Sequence, residues 1–278
     1  MSRRNDNRHR VATICRRATG LAHETCMQWA AEGLITRSRP VPDAGTPEQQ
    51  AFEARLLAAL GGGAVLGLTG IRPSPAEPVV SLDPVRAHEV IDAVWPRLDG
   101  TGAVHGVPGL RLVRDDGAWW FTDAADQARV RLEHPSPGWR PRPSPIRRQE
   151  DRSWRDHRPG RYPVERPGAY GPASRDRDRL LSRIFRRLGL ITKAGAEHGW
   201  VSLSTTGTYD LVIDCCCASG AVKLMDGLRR SALVDREEDD SGYPGDVDLG
   251  EASLAVRHAS CGSFPEPVDL PRLRWATC

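Results

Sequence analysis

Lysine is nearly missing from this sequence. Only two of its 39 basic residues, Lys193 and Lys223, are lysines, and the other 37 are arginines. A Walker-type phosphate loop requires Gly-Lys-Ser/Thr, so the glycine run at residues 61–63 cannot form one. A dinucleotide-binding loop requires a strand before its glycines, whereas the sequence predicts a helix there. Both nucleotide-loop classes are therefore excluded.

The sequence also has no long hydrophobic run. Its most apolar stretch, residues 56–71, contains five glycines and is too short for a membrane span. The first ten residues are polar and charged and include no apolar core of a signal peptide. Seven cysteines, three of them consecutive at residues 215–217, do not form the pattern of a disulfide framework. We therefore expect a cytoplasmic protein without a membrane partner.

The formal net charge of +3 is the sum of four unlike blocks. Residues 1–39 carry +5, residues 40–134 carry −5, residues 135–178 carry +5 and residues 179–278 carry −2. Basic segments attract polyanions through phosphate contacts and counterion release. The alternative is that these arginine-rich segments are simply solvated and bind nothing.

The hydrophobic patterning predicts an α+β fold with two small mixed domains. We expect a helical hairpin over residues 1–45, an α+β domain over 46–134, an Arg/Pro-rich disordered linker over 135–178 and a second α+β domain over 179–278. The linker contains nine prolines and eleven arginines, so it has too few aliphatic residues to offset the entropy of ordering. Protein partners that bind through this linker are a further expectation.

Amphipathic spacing, glycines and prolines set the expected helices and strands within these segments. Asp116-Gly117, between two apolar segments, predicts a β-hairpin because the turn requires positive φ. The predicted helices span residues 9–19, 22–32, 47–60, 84–95, 180–188 (basic and amphipathic) and 220–233. The predicted strands span residues 64–68, 79–82, 110–114, 118–122, 129–132, 200–204, 210–215, 252–257 and 273–276.

The segment from Thr19 to Ile35 has a distinctive order of residues. A Thr19-Gly20 turn separates two helices, Thr25 and Trp29 follow on the second helix, and Gly33-Leu34-Ile35 comes after it. This order resembles the start of MerR-type and excisionase-like winged helix-turn-helix DNA-binding domains. The resemblance covers about 30 residues, and it implies that the second helix enters the major groove while wing arginines contact phosphates.

The resemblance implies a set of DNA-contacting residues. These are Arg16, Arg17, His23, Gln28, Arg37 and Arg39. A structural hairpin with no nucleic-acid role is the alternative for the same segment. For the whole chain, the leading hypothesis is a nucleic-acid-associated protein, either a DNA-binding regulator or an accessory factor. The rival hypothesis is a protein-interaction adaptor that does not bind nucleic acid.

Thiol or metal chemistry in the C-terminal segment is a third hypothesis. Cys215, Cys217, His258 and Cys261 are of soft-metal ligand types, and His258-x2-Cys261 is an acceptable ligand spacing. Buried free cysteines are the alternative, since adjacent cysteines on a strand point to opposite faces. No spacing defines a catalytic constellation, so we assign no catalytic residue, no metal and no cofactor. An enzyme is the less favoured class.

Overall fold

A computed structural model describes residues 2–61, 64–74, 77–98, 104–143, 175–198, 201–204, 209–233 and 246–258. These residues form seven α-helices and two mixed β-sheets, which confirms the predicted α+β class. The helices are α1 (Ser2–Thr19), α2 (His23–Glu32), α3 (Pro47–Ala59), α4 (Ala87–Val94), α5 (Arg175–Phe185), α6 (Leu188–His198) and α7 (Ala218–Arg230).

Both sheets combine parallel and antiparallel pairs. The first has the strand order β1-β2-β7-β6-β5, with β2 and β7 parallel. The second has the order β10-β11-β9-β8, with β11 and β9 parallel, and β3 pairs with β4 alone. The strands are β1 (Leu68–Arg72), β2 (Val79–Leu82), β3 (Arg97–Leu98), β4 (Val104–His105), β5 (Arg111–Asp115), β6 (Ala118–Thr122), β7 (Arg129–Glu133), β8 (Val201–Ser204), β9 (Leu211–Cys215), β10 (Asp246–Leu249) and β11 (Ala252–His258).

The turns predicted at Asp116-Gly117 and at Gly20 are confirmed. Asp116 and Gly117 adopt φ values of 45° and 76° in the β5–β6 hairpin, as the Asp-Gly pair predicts. Gly20 follows α1 with φ 80°, and its amide donates to the carbonyl oxygen of Arg16 at 2.9 Å. The Thr46 hydroxyl caps α3 by accepting a hydrogen bond from an amide of the first turn.

Two predicted elements are placed differently in the structure. Residues 64–67 form a 3₁₀ turn, and the strand runs over Leu68–Arg72, because its pairing with β2 sets the register. The predicted helix over residues 180–188 covers the second half of α5 and only the first residue of α6. We missed most of α6 because Gly189 and Gly195 lower its intrinsic helix propensity, which tertiary packing overrides. The predicted strand at residues 273–276 lies outside the described residues.

The arginines of the predicted basic amphipathic helix lie inside the protein. Arg186 and Glu53 are fully buried and joined by two short hydrogen bonds, Nε to Oε2 at 2.8 Å and Nη2 to Oε1 at 2.7 Å. Arg187 donates to the backbone carbonyls of Arg183, Ser231 and Ala232. Burial lowers the pKa of Arg187 to about 9. The arginines of this helix therefore form an internal polar network.

One continuous core draws its buried side chains from both halves of the chain. Phe52 of α3 and Leu132 of β7 belong to the same cluster as Ile184 of α5 and Leu254 of β11. The buried Glu53–Arg186 pair joins α3 to α5 within this core. Residues 144–174, most of the predicted linker, lie outside the described residues, and the division into domains stays a prediction.

Candidate nucleic-acid interface

The N-terminal helices α1 and α2 pack as a hairpin with its own small apolar cluster. That cluster contains Val11, Ala12, Cys15, Cys26 and Ile35. Contact with Cys26 and burial raise the pKa of the Cys15 thiol, whereas the hydrogen bond from Cys15 and the nearby Arg16 guanidinium lower the pKa of Cys26. The sequence predicts this hairpin, and the structure contains it.

Three glycines fix the hairpin turn to the rest of the protein. A Cβ built on Gly20 would lie 3.0 Å from the carbonyl oxygen of Thr69 on β1. A Cβ built on Gly189, at the start of α6, would lie 2.5 Å from the amide nitrogen of Gly20. A Cβ built on Gly70 of β1 would lie 3.0 Å from the carbonyl oxygen of Thr19. The hairpin is thus held by backbone-to-backbone packing that only glycine permits.

The cations of the predicted DNA-contacting set are exposed. Arg16 and Arg17 lie in the last turn of α1. Arg37 and Arg39 lie beyond α2, where the Arg39 amide donates to the Thr36 hydroxyl at 3.1 Å. Residues 33–46, between α2 and α3, form turns and bends without a strand.

The other two members of the set, His23 and Gln28, make contacts within the hairpin. The His23 ring stacks on that of His9, with their centroids 5.7 Å apart. The Gln28 side-chain amide donates to a carboxylate oxygen of Glu32 at 2.8 Å. Both side chains therefore have partners within the N-terminal helices.

The solvent-facing side of α2 is acidic. Glu24, Gln28 and Glu32 follow one another at four-residue intervals and are all exposed, so they share one face. Helix α2 contains no arginine or lysine. Carboxylates on this face would repel DNA phosphates, so α2 alone offers no electrostatic attraction to a duplex.

The structure brings Arg17 together with cations that are distant in sequence. A groove of about 230 Å³ runs between α1, α6 and α7, and we call it the cationic groove. Four cations line it, Arg17 of α1, Lys193 of α6, and Lys223 and Arg230 of α7, together with two carboxylates, Glu197 of α6 and Asp226 of α7. Both lysines of the chain are thus in one groove, which no other member of the predicted set lines.

Two of these four cations are already paired, and two are not. Lys193 Nζ lies 3.4 Å from Glu197, and Arg230 Nη2 lies 2.8 Å from Asp226, each on its own helix. Among the described residues, no carboxylate is within ion-pair distance of Arg17 or Lys223. These two cations are therefore available to an anionic ligand.

The floor of the cationic groove is aliphatic. It is formed by Ile14, Leu190, Ala194 and Leu224. Helices α6 and α7 approach closely there, since a Cβ on Gly227 would lie 2.9 Å from Cδ2 of Leu190. Sequence reasoning missed the groove because its walls come from three separate helices, one of which was not predicted. The sequence offered one signal for the groove. The chain has only two lysines, Lys193 and Lys223, and both line it.

The cysteines that suggested metal or thiol chemistry have separate environments. Cys215 is buried, which raises its pKa to about 12. Cys217 caps α7, where hydrogen bonds from Ser219 and from the Gly220 amide lower its pKa. No group of three or more His, Cys, Asp or Glu side chains in the described ranges could hold a metal ion, and Cys261 lies outside those ranges.

Within the part of the chain that the structure describes, no helix has the length and apolar character needed to cross a membrane. Comparisons of the chain with protein-family models, with curated proteins and with solved structures gave no match.

Proposed function

We propose that this chain is a nucleic-acid-associated, non-enzymatic protein of the cytoplasm that holds phosphates in the cationic groove. The observation that carries the proposal is the convergence of Arg17, Lys193, Lys223 and Arg230 from three helices on one concave surface. Clustered lysines and arginines are the main source of affinity for nucleic acids, because they neutralise phosphates and release counterions.

Two features of the groove favour phosphate as the ligand. Arg17 and Lys223 have no carboxylate partner among the described residues, so a phosphate gains them without breaking an ion pair. The exposed ion pairs of Lys193 and Arg230 are worth little in water, so a phosphate can also recruit those cations at small cost.

The test is a salt titration of binding by the full chain. A fluorescently labelled oligonucleotide of mixed sequence is followed by anisotropy at increasing salt. We expect binding at low salt whose log affinity falls linearly with log salt, with a slope no steeper than about −3.6 for a duplex, since four cations each contribute about −0.9. Absence of binding at low salt would contradict the proposal.

A protein-interaction adaptor is the second candidate. The aliphatic floor of the groove favours it, as does Val222 on α7, which is 65% exposed beside the groove-lining Lys223. Apolar surface with a polar rim is typical of protein interfaces. Co-purification of a protein partner by a chain that does not bind oligonucleotides would favour this candidate.

A further inference from the structure

We infer that the cationic groove binds a single strand of nucleic acid in preference to a duplex. This inference rests on the proposed function and names the ligand class for the same site. It follows from the shape of the groove, from its aliphatic floor and from the charge of α2, each of which is an independent observation.

The first observation is the shape. The groove is a concave space of about 230 Å³ with cations on three sides, Arg17 on α1, Lys193 on α6 and Lys223 on α7. A duplex carries its phosphates on a convex cylinder that stays straight over tens of base pairs, because its persistence length is about 150 base pairs. A duplex therefore reaches only the outer rim of such a space. A flexible single strand can enter it and meet all of the cations.

The second observation is the floor. Ile14, Leu190, Ala194 and Leu224 present aliphatic surface at the base of the groove. The faces of bases are stacked and covered in a duplex but open in a single strand. Sites that bind single strands without sequence preference combine a positively charged groove that follows the backbone with aromatic side chains on which bases stack. No aromatic residue in the described part of the chain lines this groove, so its aliphatic side chains would offer base faces apolar contact without aromatic stacking.

The third observation is the acidic face of α2. Major-groove recognition places a helix against the phosphates of both strands, where exposed carboxylates are repelled. Glu24 and Glu32 are exposed on α2, which has no arginine or lysine to offset them, whereas in the groove four arginines and lysines outnumber two carboxylates. The helix-turn-helix resemblance assigns duplex DNA to the exposed face of α2. That face suits a duplex less well than the cationic groove suits a single strand.

The test compares one labelled oligonucleotide, single-stranded and annealed to its complement, for binding to the full chain. A groove-filling variant, Ile14→Trp, blocks the space without changing charge. Its matched control, Val222→Trp, adds the same side chain to an exposed position outside the groove lining. Circular dichroism and thermal unfolding establish that both variants are folded, and Ile14→Phe replaces Ile14→Trp if the latter is not.

We expect the single strand to bind at least about tenfold more tightly than the duplex, a difference of about 1.4 kcal/mol. Ile14→Trp should weaken single-strand binding by a similar factor and leave duplex binding unchanged, while Val222→Trp should alter neither. The inference is overturned if the duplex binds as tightly as the single strand or more tightly. It is also overturned if a folded Ile14 variant binds the single strand as tightly as the wild type does. In both cases the proposed function stands. If neither form binds and an acidic amphipathic peptide does, both proposals are overturned.

Discussion

The amide nitrogen of Gly20 lies 2.5 Å from the point that a Cβ of Gly189 would occupy. The turn between α1 and α2 therefore rests directly on the first turn of α6, backbone against backbone. This contact brings the C-terminal end of α1, with Arg17, beside the helix that carries Lys193. The geometry of the cationic groove thus depends on two glycines that are 169 positions apart in the sequence.

Gly189→Ala should destabilise the protein. The added methyl group would also lie 2.6 Å from the carbonyl carbon of Thr19, and backbone atoms cannot move aside as a flexible side chain can. We expect a loss of about 1–3 kcal/mol in the free energy of unfolding, as for other overpacked sites. Denaturant unfolding measures it.

Gly227→Ala is the matched control for that variant. Its methyl group would meet only the end of the Leu190 side chain, at 2.9 Å, and alanine favours a helix over glycine. We expect little change or a small gain in stability. Equal losses at Gly189 and Gly227 would contradict the proposed role of the Gly20–Gly189 contact.

Glu53→Gln should be strongly destabilising. It leaves the fully buried Arg186 guanidinium without its charged partner, and removing one member of a buried pair costs about 3–5 kcal/mol. Thermal or denaturant unfolding gives the value. Glu133→Gln, which breaks the half-exposed pair with Arg72, is the control and should cost less than about 1 kcal/mol. Similar costs for the two variants would show that Glu53 and Arg186 are not paired in the core.

Asp214→Asn should stabilise the protein at neutral pH. Burial raises the pKa of Asp214 despite the nearby Arg257, so the folded state disfavours the ionised carboxylate. The gain should be full above that raised pKa and should shrink as pH falls through it towards the ordinary range of aspartate, where the wild-type side chain is protonated. Thermal unfolding at several pH values follows the change.

Asp210→Asn is the control for Asp214 and should act in the opposite direction. The Asp210 carboxylate accepts a hydrogen bond from the Ser253 amide at 3.0 Å and pairs with Arg177. Loss of that ion pair should lower stability at neutral pH. Stabilisation by both variants would show that burial of Asp214 is not the cause.

Arg37 and Arg39 of the predicted DNA-contacting set should contribute less to single-strand binding than Arg17 and Lys223 of the groove. The double variant Arg37→Ala/Arg39→Ala removes the exposed cations beyond α2, and Arg17→Ala/Lys223→Ala removes the two unpaired cations of the groove. Each loses two positive charges. We expect the groove variant to lose at least about tenfold more affinity for a single-stranded oligonucleotide, measured by anisotropy at low salt. The reverse order would favour the winged-helix hypothesis for the N-terminal segment.

Local sequence signals were sufficient to predict structure where a residue type favours one backbone conformation. Asp116-Gly117 and Gly20 adopt the positive φ that their turns require, so the β5–β6 hairpin and the end of α1 were predictable. The same reasoning failed for Arg186 and Arg187. Their burial depends on Glu53 and on carbonyls near residue 231, which become neighbours only in the folded protein.

The candidate site was only partly predictable for the same reason. Arg17 could be proposed from its position at the end of α1, but its neighbours Lys193, Lys223 and Arg230 come from helices 170 or more positions later. Helix α6 was itself missed because Gly189 and Gly195 reduce its propensity. Gly189 also permits the close packing of α6 against the α1–α2 turn, so a residue that obscured the helix helps to build the groove.

The salt dependence of single-strand binding by a Lys223→Glu variant tests the central claim most directly. Arg114→Glu, at an exposed position on β5, is the control, because it changes the net charge by the same amount away from the groove. We predict that Lys223→Glu lowers affinity at low salt by about tenfold or more and reduces the magnitude of the log–log salt slope by about 0.7, whereas Arg114→Glu leaves the slope unchanged. Equal effects of the two variants would contradict phosphate binding in the cationic groove.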